Sequence, residues 1–162
     1  MLIQANAEDL DFIHSLVLDG SKKGYFNQEF YLNPAANNGL KKNLESILNN
    51  RKRLDEDLIA YAFIFANNGI PVSFMILSAV ENQTKGIEIW MMATKKEYQK
   101  KGVATSFLDN ILGQLKNNRS KAVEARCKAA SEAMYHLLLK KGFELIEIDE
   151  TGTRHLIFHL QN

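Results

Sequence analysis

Two apolar, β-rich runs separated by a tight-turn sequence constrain the fold of this chain most strongly. Residues 59–66 and 72–80 flank Asn67-Asn68-Gly69, and an Asn-Gly pair readily adopts the left-handed backbone of a two-residue hairpin turn. A third β-rich run covers residues 86–93 and follows a turn predicted near residues 82–85. The sequence therefore predicts a three-stranded antiparallel meander in the middle of the chain.

Helical periodicity lies on both sides of this meander. Apolar residues recur at helical spacing over residues 10–17, 40–48, 103–115 and 130–138. Asn6 is the predicted cap of the first helix, and Gly142 is predicted to end the last one. Residues 20–38 are polar, glycine-bearing and aromatic, which predicts a long connection. Its four aromatic residues (Tyr25, Phe26, Phe30 and Tyr31) either form a partly apolar lid or pack beneath the loop.

The remaining short runs complete the predicted sheet. Further strands are expected over residues 2–5, 122–127, 143–148 and 155–160, the last two as a hairpin around Thr151-Gly152. Single helices separate strands in the second half, so some neighbouring strands there can be parallel. The predicted order is β-α-α-β-β-β-α-β-α-β-β. This indicates one α/β (α+β) domain over residues 1–162, with a mixed, mostly antiparallel sheet flanked by helices.

Composition excludes several classes of protein. Twenty Lys and Arg against nineteen Asp and Glu leave a net charge of +1, which argues against a nucleic-acid binder. The longest apolar run has eight residues, far short of the ~20 of a membrane helix. Acidic residues near the N-terminus are unlike a signal peptide, so we expect a cytoplasmic protein.

Metal and covalent thiol chemistry are not expected either. Cys127 is the single cysteine and is interpreted as a buried thiol. His155 and His159 share a strand face but lie about 13 Å apart, too far to bind one metal ion. We therefore predict no metal site.

The segment most informative about function joins the third meander strand to the next helix. It reads Thr94-Lys95-Lys96-Glu97-Tyr98-Gln99-Lys100-Lys101-Gly102-Val103-Ala104. A helix start exposes unpaired backbone N–H groups and the positive end of the helix dipole. Gly102 and Ala104 let a ligand approach the backbone closely, and two lysines add positive charge. The segment is either a cradle for a phosphate or an ordinary solvated loop.

This segment resembles the acyl-CoA-binding motif of the GNAT acetyltransferases, Gln/Arg-x-x-Gly-x-Gly/Ala. The matching residues are Gln99, Gly102 and Ala104. Residues 131–143, ending in Lys140-Lys141-Gly142-Phe143, resemble the second motif of the family, and the predicted element order is similar throughout. The resemblance implies the GNAT fold, with acetyl-CoA bound where the strands at residues 86–93 and 122–127 splay apart.

The resemblance also implies a set of residues that bind acetyl-CoA as co-substrate. Backbone groups of Met92, Ala93 and Thr94 would pair with the pantetheine amides. Gln99 would begin the loop, and the N–H groups of Lys100, Lys101, Gly102, Val103, Ala104 and Thr105 would hold the pyrophosphate. Ser131 replaces the usual asparagine and can still hydrogen-bond the cofactor.

Glu88 and Tyr135 are the catalytic candidates. Glu88 is the only acidic residue of its strand, and the histone-acetylating branch of the family has a glutamate at the same distance before the motif glutamine. It is either the base, acting through a water molecule, or a solvent-facing residue. The family's usual proton donor, a tyrosine, is replaced by Leu138. Tyr135 lies on the same helix stripe as Leu138, roughly 4.5 Å away along the helix axis, and is the alternative proton donor.

The resemblance implies an N-acetyltransferase that moves an acetyl group to a primary amine by direct attack in a ternary complex. The amine can belong to a metabolite, a protein N-terminus or a lysine. The alternative, motivated by Leu138, is a CoA-binding sensor or a degenerate GNAT-fold protein with little turnover. The resemblance to the family also implies a possible homodimer, formed through a sheet edge or the C-terminal hairpin.

Overall fold

The structure, a computed structural model, describes residues 1–80, 86–118 and 120–160. Seven strands form one sheet: β1 (Leu2–Gln4), β2 (Ala60–Asn67), β3 (Ile70–Ala79), β4 (Gly86–Thr94), β5 (Ala122–Cys127), β6 (Glu144–Ile148) and β7 (Arg154–His159). Among the described residues, five α-helices accompany them: α1 (Leu10–Lys22), α2 (Glu29–Leu32), α3 (Pro34–Asn50), α4 (Val103–Lys116) and α5 (Glu132–Lys140). The predicted order is confirmed, with α2 as an additional short helix.

The sheet order is β1-β2-β3-β4-β5-β7-β6. β4 and β5 are parallel, and every other neighbouring pair is antiparallel. A parallel pair needs a crossover, which α4 supplies between β4 and β5. The prediction of a mixed, mostly antiparallel sheet with helices on both faces is confirmed.

Local sequence signals account for the turns and helix ends. Asn68 and Gly69 both have positive φ angles, as the predicted hairpin turn requires. Asn6 and Asp9 form a capping box ahead of α1. Gly142 has φ +99° and follows the end of α5, as predicted. The turn predicted at residues 82–85 lies outside the described residues.

The long connection predicted at residues 20–38 is largely wrong. α1 continues to Lys22, α2 lies inside the segment, and α3 begins at Pro34, six residues before the first predicted apolar position. The Asn33 side chain accepts hydrogen bonds from the N–H groups of residues 35 and 36, and Pro34 suits the first helical position. This cap-and-proline signal starts the helix before the apolar stripe does.

The aromatic residues of this segment divide into two pairs. Phe26 and Phe30 pack against the core, whereas Tyr25 and Tyr31 are exposed. A Cβ atom on Gly20 would lie 2.7 Å from the Phe26 ring, so only glycine permits this close packing of α1. The segment therefore combines packing with exposed aromatic surface.

Two apolar clusters hold the helices on the two faces of the sheet. Phe107, Leu108, Ile111 and Leu138 of α4 and α5 pack against one face. Ile13, Val17, Leu44 and Ile47 of α1 and α3 pack against the other. Burying each such side chain contributes about 1.5–3 kcal/mol to the stability of the fold.

No described helix is long and apolar enough to cross a membrane.

Candidate active site

β4 and β5 part halfway along their length. Their register runs from the Gly86–Ala122 pair to the Ile89–Ala125 pair and stops there, although β4 continues to Thr94. Arg126 and Cys127 of β5 pair only with β7 among the described residues. The Met92–Thr94 backbone predicted to bind pantetheine therefore lies on a strand edge that faces this gap.

A β-bulge marks the point of divergence. Ile76 and Leu77 of β3 pair with Met91 and Ile89, which leaves Trp90 as the extra residue of β4. A bulge bends a strand and increases its twist, so it directs the end of β4 away from β5. The nearly buried Arg53 guanidinium stacks 4.1 Å from the Trp90 ring and fixes this side chain.

The loop before α4 presents free backbone donors beside the gap. Lys100 and Gly102 both have positive φ angles, 61° and 81°. Among the described residues, no hydrogen bond is donated by the backbone N–H groups of residues 100–105. The Gln99 side chain donates to the Thr94 carbonyl at 3.0 Å and ties the loop to the end of β4. The structure therefore brings together every predicted residue of this motif.

This loop has the chemistry and the space to bind an anion. A Cβ atom on Gly102 would meet no atom within 4 Å, so the backbone is open to a ligand. α4 has fourteen residues, and its first turn contains no acidic side chain. Unpaired N–H groups at such a helix start attract phosphate groups, and the exposed Lys100 and Lys101 add positive charge. A pyrophosphate linked to a chain along the edge of β4 fits these residues.

Glu88 lies on the sheet face that carries α1 and α3. Its neighbour Ile89 belongs to the α4–α5 cluster, and successive strand residues point to opposite faces. One Glu88 carboxylate oxygen accepts a 2.9 Å hydrogen bond from Arg126 Nη1. The Glu88 side chain is 14% exposed, so it is not the freely solvated residue of the alternative interpretation.

The helix stripe around Tyr135 lies on the opposite face. Leu138 is 2% exposed and packs in the core, which leaves no proton donor at that position. Tyr135 is partly buried beneath the Arg154 guanidinium, 4.2 Å from its ring centre. Arg154 also pairs with Glu132. Ser131 caps α5 with its backbone, and its side chain makes no capping hydrogen bond.

Cys127 is a buried thiol at the end of β5. Burial raises the pKa of this thiol to about 11, although the nearby Arg154 opposes the shift. A protonated thiol is a poor nucleophile at neutral pH. The described residues contain no group of three or more His, Cys, Asp or Glu side chains that can hold a metal ion.

The sequence analysis gave no functional role to three polar residues of β5 and β7, the strands that follow Glu88 across the sheet. Glu124 is the register partner of Glu88, Arg126 forms the ion pair with Glu88, and His155 is the register partner of Arg126. The alternation of Glu124 and Arg126 along β5 was a usable signal for a polar strand face. The strand pairings that bring these residues together join positions 29 and 36 residues apart, which no local sequence pattern reveals.

Solved structures of acetyltransferases share this architecture. An N-acetyltransferase from Staphylococcus aureus Mu50 is 18% identical with a TM-score of 0.75, over 99% of this chain and 98% of that chain. PaiA N-acetyltransferase from Thermoplasma acidophilum, solved in complex with coenzyme A, is 11% identical with a TM-score of 0.74, over 98% of both chains. An aminoglycoside N(6')-acetyltransferase from Legionella pneumophila is 19% identical with a TM-score of 0.71, over 99% of this chain and 91% of that chain.

At these identities the structural likeness establishes the fold. No curated protein matches the chain by sequence. The model of the acetyltransferase (GNAT) family matches residues 26–143, which includes the bulged strand, the Gln99–Ala104 loop and α5. With the match extending over well more than half of its length, the chain belongs to the GNAT family of acetyltransferases.

Proposed function

We propose that this enzyme transfers an acetyl group from acetyl-CoA to a primary amine by direct attack within a ternary complex. The observation that carries the proposal is the opening between β4 and β5 beside six backbone N–H groups that are unpaired in the described part of the chain. Such an opening lets the thioester end of the cofactor reach the sheet while its anionic end stays at the start of α4.

Each part of acetyl-CoA has its own group of binding residues. The N–H groups from Lys100 to Thr105 hold the pyrophosphate, and Gln99 fixes their loop through Thr94. The free edge of β4 from Met92 to Thr94 pairs with the pantetheine amides as an added strand would. The Ser131 hydroxyl is a further donor to the cofactor.

The acetyl thioester supplies an activated carbonyl, whose carbon forms a bond to the amine nitrogen as the carbon–sulfur bond breaks. Glu88 accepts the proton that the substrate ammonium must lose, through a water molecule. Tyr135 donates a proton to the departing thiolate in place of the tyrosine that Leu138 replaces. Backbone N–H groups near the end of β4 stabilise the developing oxyanion.

The buried Leu138 favours a second candidate, a CoA-binding sensor with little turnover. Leu138 is part of the core, and its side chain has no group that can donate a proton to the thiolate. Both candidates predict CoA binding, and they differ in catalysis.

Two measurements on the intact protein separate these possibilities. Coenzyme A should raise the melting temperature, because a ligand that binds only the folded state stabilises it. Acetyl-CoA with a panel of primary amines should release free thiol. Binding without release supports the sensor, and the absence of a thermal shift contradicts both candidates.

A homodimer through the edge strand β6 is part of this proposal. β6 is exposed along its whole length and carries the apolar Leu145, Ile146 and Ile148. An unpaired edge of this kind favours pairing with a second copy. Light scattering should give the mass of a dimer, and charged substitutions at Ile146 and Ile148 should give that of a monomer.

A further inference from the structure

Glu124 carries a buried carboxylate oxygen with an unusual hydrogen-bonding environment. One oxygen, Oε1, lies 2.6 Å from His155 Nε2, while Oε2 is buried and has no hydrogen-bond partner among the described residues. The Glu124 side chain is only 9% exposed. An unsatisfied buried acceptor is costly, and each one in a native protein calls for a physical explanation.

The position of Glu124 suggests that explanation. It is the register partner of Glu88, one residue before the last paired position of β4 and β5. The two carboxylates therefore lie side by side on one face, about 4.8 Å apart at the backbone, immediately before the gap. This face is opposite to α4, so an acceptor reaches the gap from the side that the pyrophosphate does not occupy.

A cation between these two carboxylates would relieve their mutual repulsion. The guanidinium of Arg126 donates to Glu88 Oε1, and the Arg126 side chain is 48% exposed, so it can move aside. Glu124 Oε2 receives no such cation among the described residues. The described residues also contain no third ligand that would make this pair a metal site. The vacant acceptor therefore suits an organic ammonium group.

We infer that Glu124 binds the ammonium group of the acceptor through Oε2, and that the acceptors are primary alkylamines that arrive positively charged. The inference rests on the proposed function and adds a binding residue to it. No proton moves on Glu124 in this step. Glu88 remains the group that deprotonates the bound ammonium, and the Arg126 side chain moves aside to admit the amine.

His155 acts as a positioning residue in this arrangement. Its Nε2 holds Oε1, which leaves Oε2 as the oxygen free for the acceptor. The loss of His155 should raise KM for the amine, while kcat at saturating amine and the affinity for coenzyme A stay close to their wild-type values. A purely structural role would lower the affinity for coenzyme A as well.

The test measures acceptor binding to the protein saturated with coenzyme A, where no reaction occurs. The probes are 1,4-diaminobutane and 1,4-butanediol, which have the same length and differ in charge. By calorimetry, the wild-type complex should bind the diamine in preference to the diol, and Glu124→Gln should weaken diamine binding about tenfold or more. Glu45→Gln is the matched control, because Glu45 is an exposed glutamate of α3 outside both the site and the proposed dimer interface.

Several outcomes would overturn the inference. It fails if Glu124→Gln binds the diamine as tightly as Glu45→Gln does, or if the wild-type complex binds neither probe or both equally. Glu124→Asp retains the charge on a shorter side chain and should give an intermediate affinity if Glu124→Gln does not fold. A missing thermal shift with coenzyme A would instead contradict the proposed function, so the two failures are distinguishable.

Discussion

Gly102 provides the sharpest test of the anion-binding loop. Its φ angle is +81°, and a Cβ atom there would meet no atom within 4 Å. Replacing it with alanine should therefore cost only the strain of a left-handed backbone, about 1–2 kcal/mol, because no steric clash is added. For a domain of this size, that corresponds to a fall in melting temperature of roughly 2–8 °C.

The same substitution should also impair cofactor binding. The new methyl group projects into the space that we assign to the pyrophosphate, beside the unpaired N–H groups. We expect Gly102→Ala to weaken coenzyme A binding about tenfold, equivalent to about 1.4 kcal/mol. Gly102→Val, with a bulkier side chain, should weaken it further.

Gly69 offers a matched control for this experiment. It lies in the β2–β3 hairpin turn with φ +78°, and a Cβ atom there also meets nothing within 4 Å. Gly69→Ala should lose similar stability and retain its affinity for coenzyme A. Calorimetry and thermal unfolding of both variants measure the two effects separately. Equal affinity in the two variants would refute the assignment of the loop to the pyrophosphate.

Three further predictions concern the side chains of the site. Glu88→Gln should lower kcat/KM about 100-fold with an unchanged Kd for coenzyme A, and steady-state kinetics showing wild-type turnover would exclude it as the base. Tyr135→Phe keeps the ring beneath Arg154 and should lower kcat about 100-fold; full activity across the amine panel would exclude its role as the acid. Burial raises the pKa of the Cys127 thiol from 9.0 to about 11, so the unfolded chain ionises first as the pH rises. The wild type should therefore lose about 2 kcal/mol of stability between pH 9 and 11 that Cys127→Ala does not lose. Denaturant unfolding at both pH values measures this loss, and an equal loss in the two proteins would contradict the prediction.

Some features of the site were predictable from the sequence, and others were not. The loop from Gln99 to Ala104 was predictable, because the turn at Gly102 and the start of α4 depend on residues that are neighbours in the sequence. The opening between β4 and β5 was predicted through the family resemblance, since nothing in either strand marks where their pairing ends. The predicted start of α3 was wrong, because it depended on the apolar stripe and not on the cap-and-proline signal of Asn33-Pro34.

The sequence by itself determined the order of the elements, the β2–β3 turn, the start of α1 and the end of α5, because periodicity, capping and turn chemistry act between residues a few positions apart. Only the tertiary structure decided that β7 lies between β5 and β6, that Trp90 forms the bulge, and that Glu124 lies beside Glu88. Strand register depends on packing between distant segments, and a shift of one residue would turn each of these side chains to the other face of the sheet.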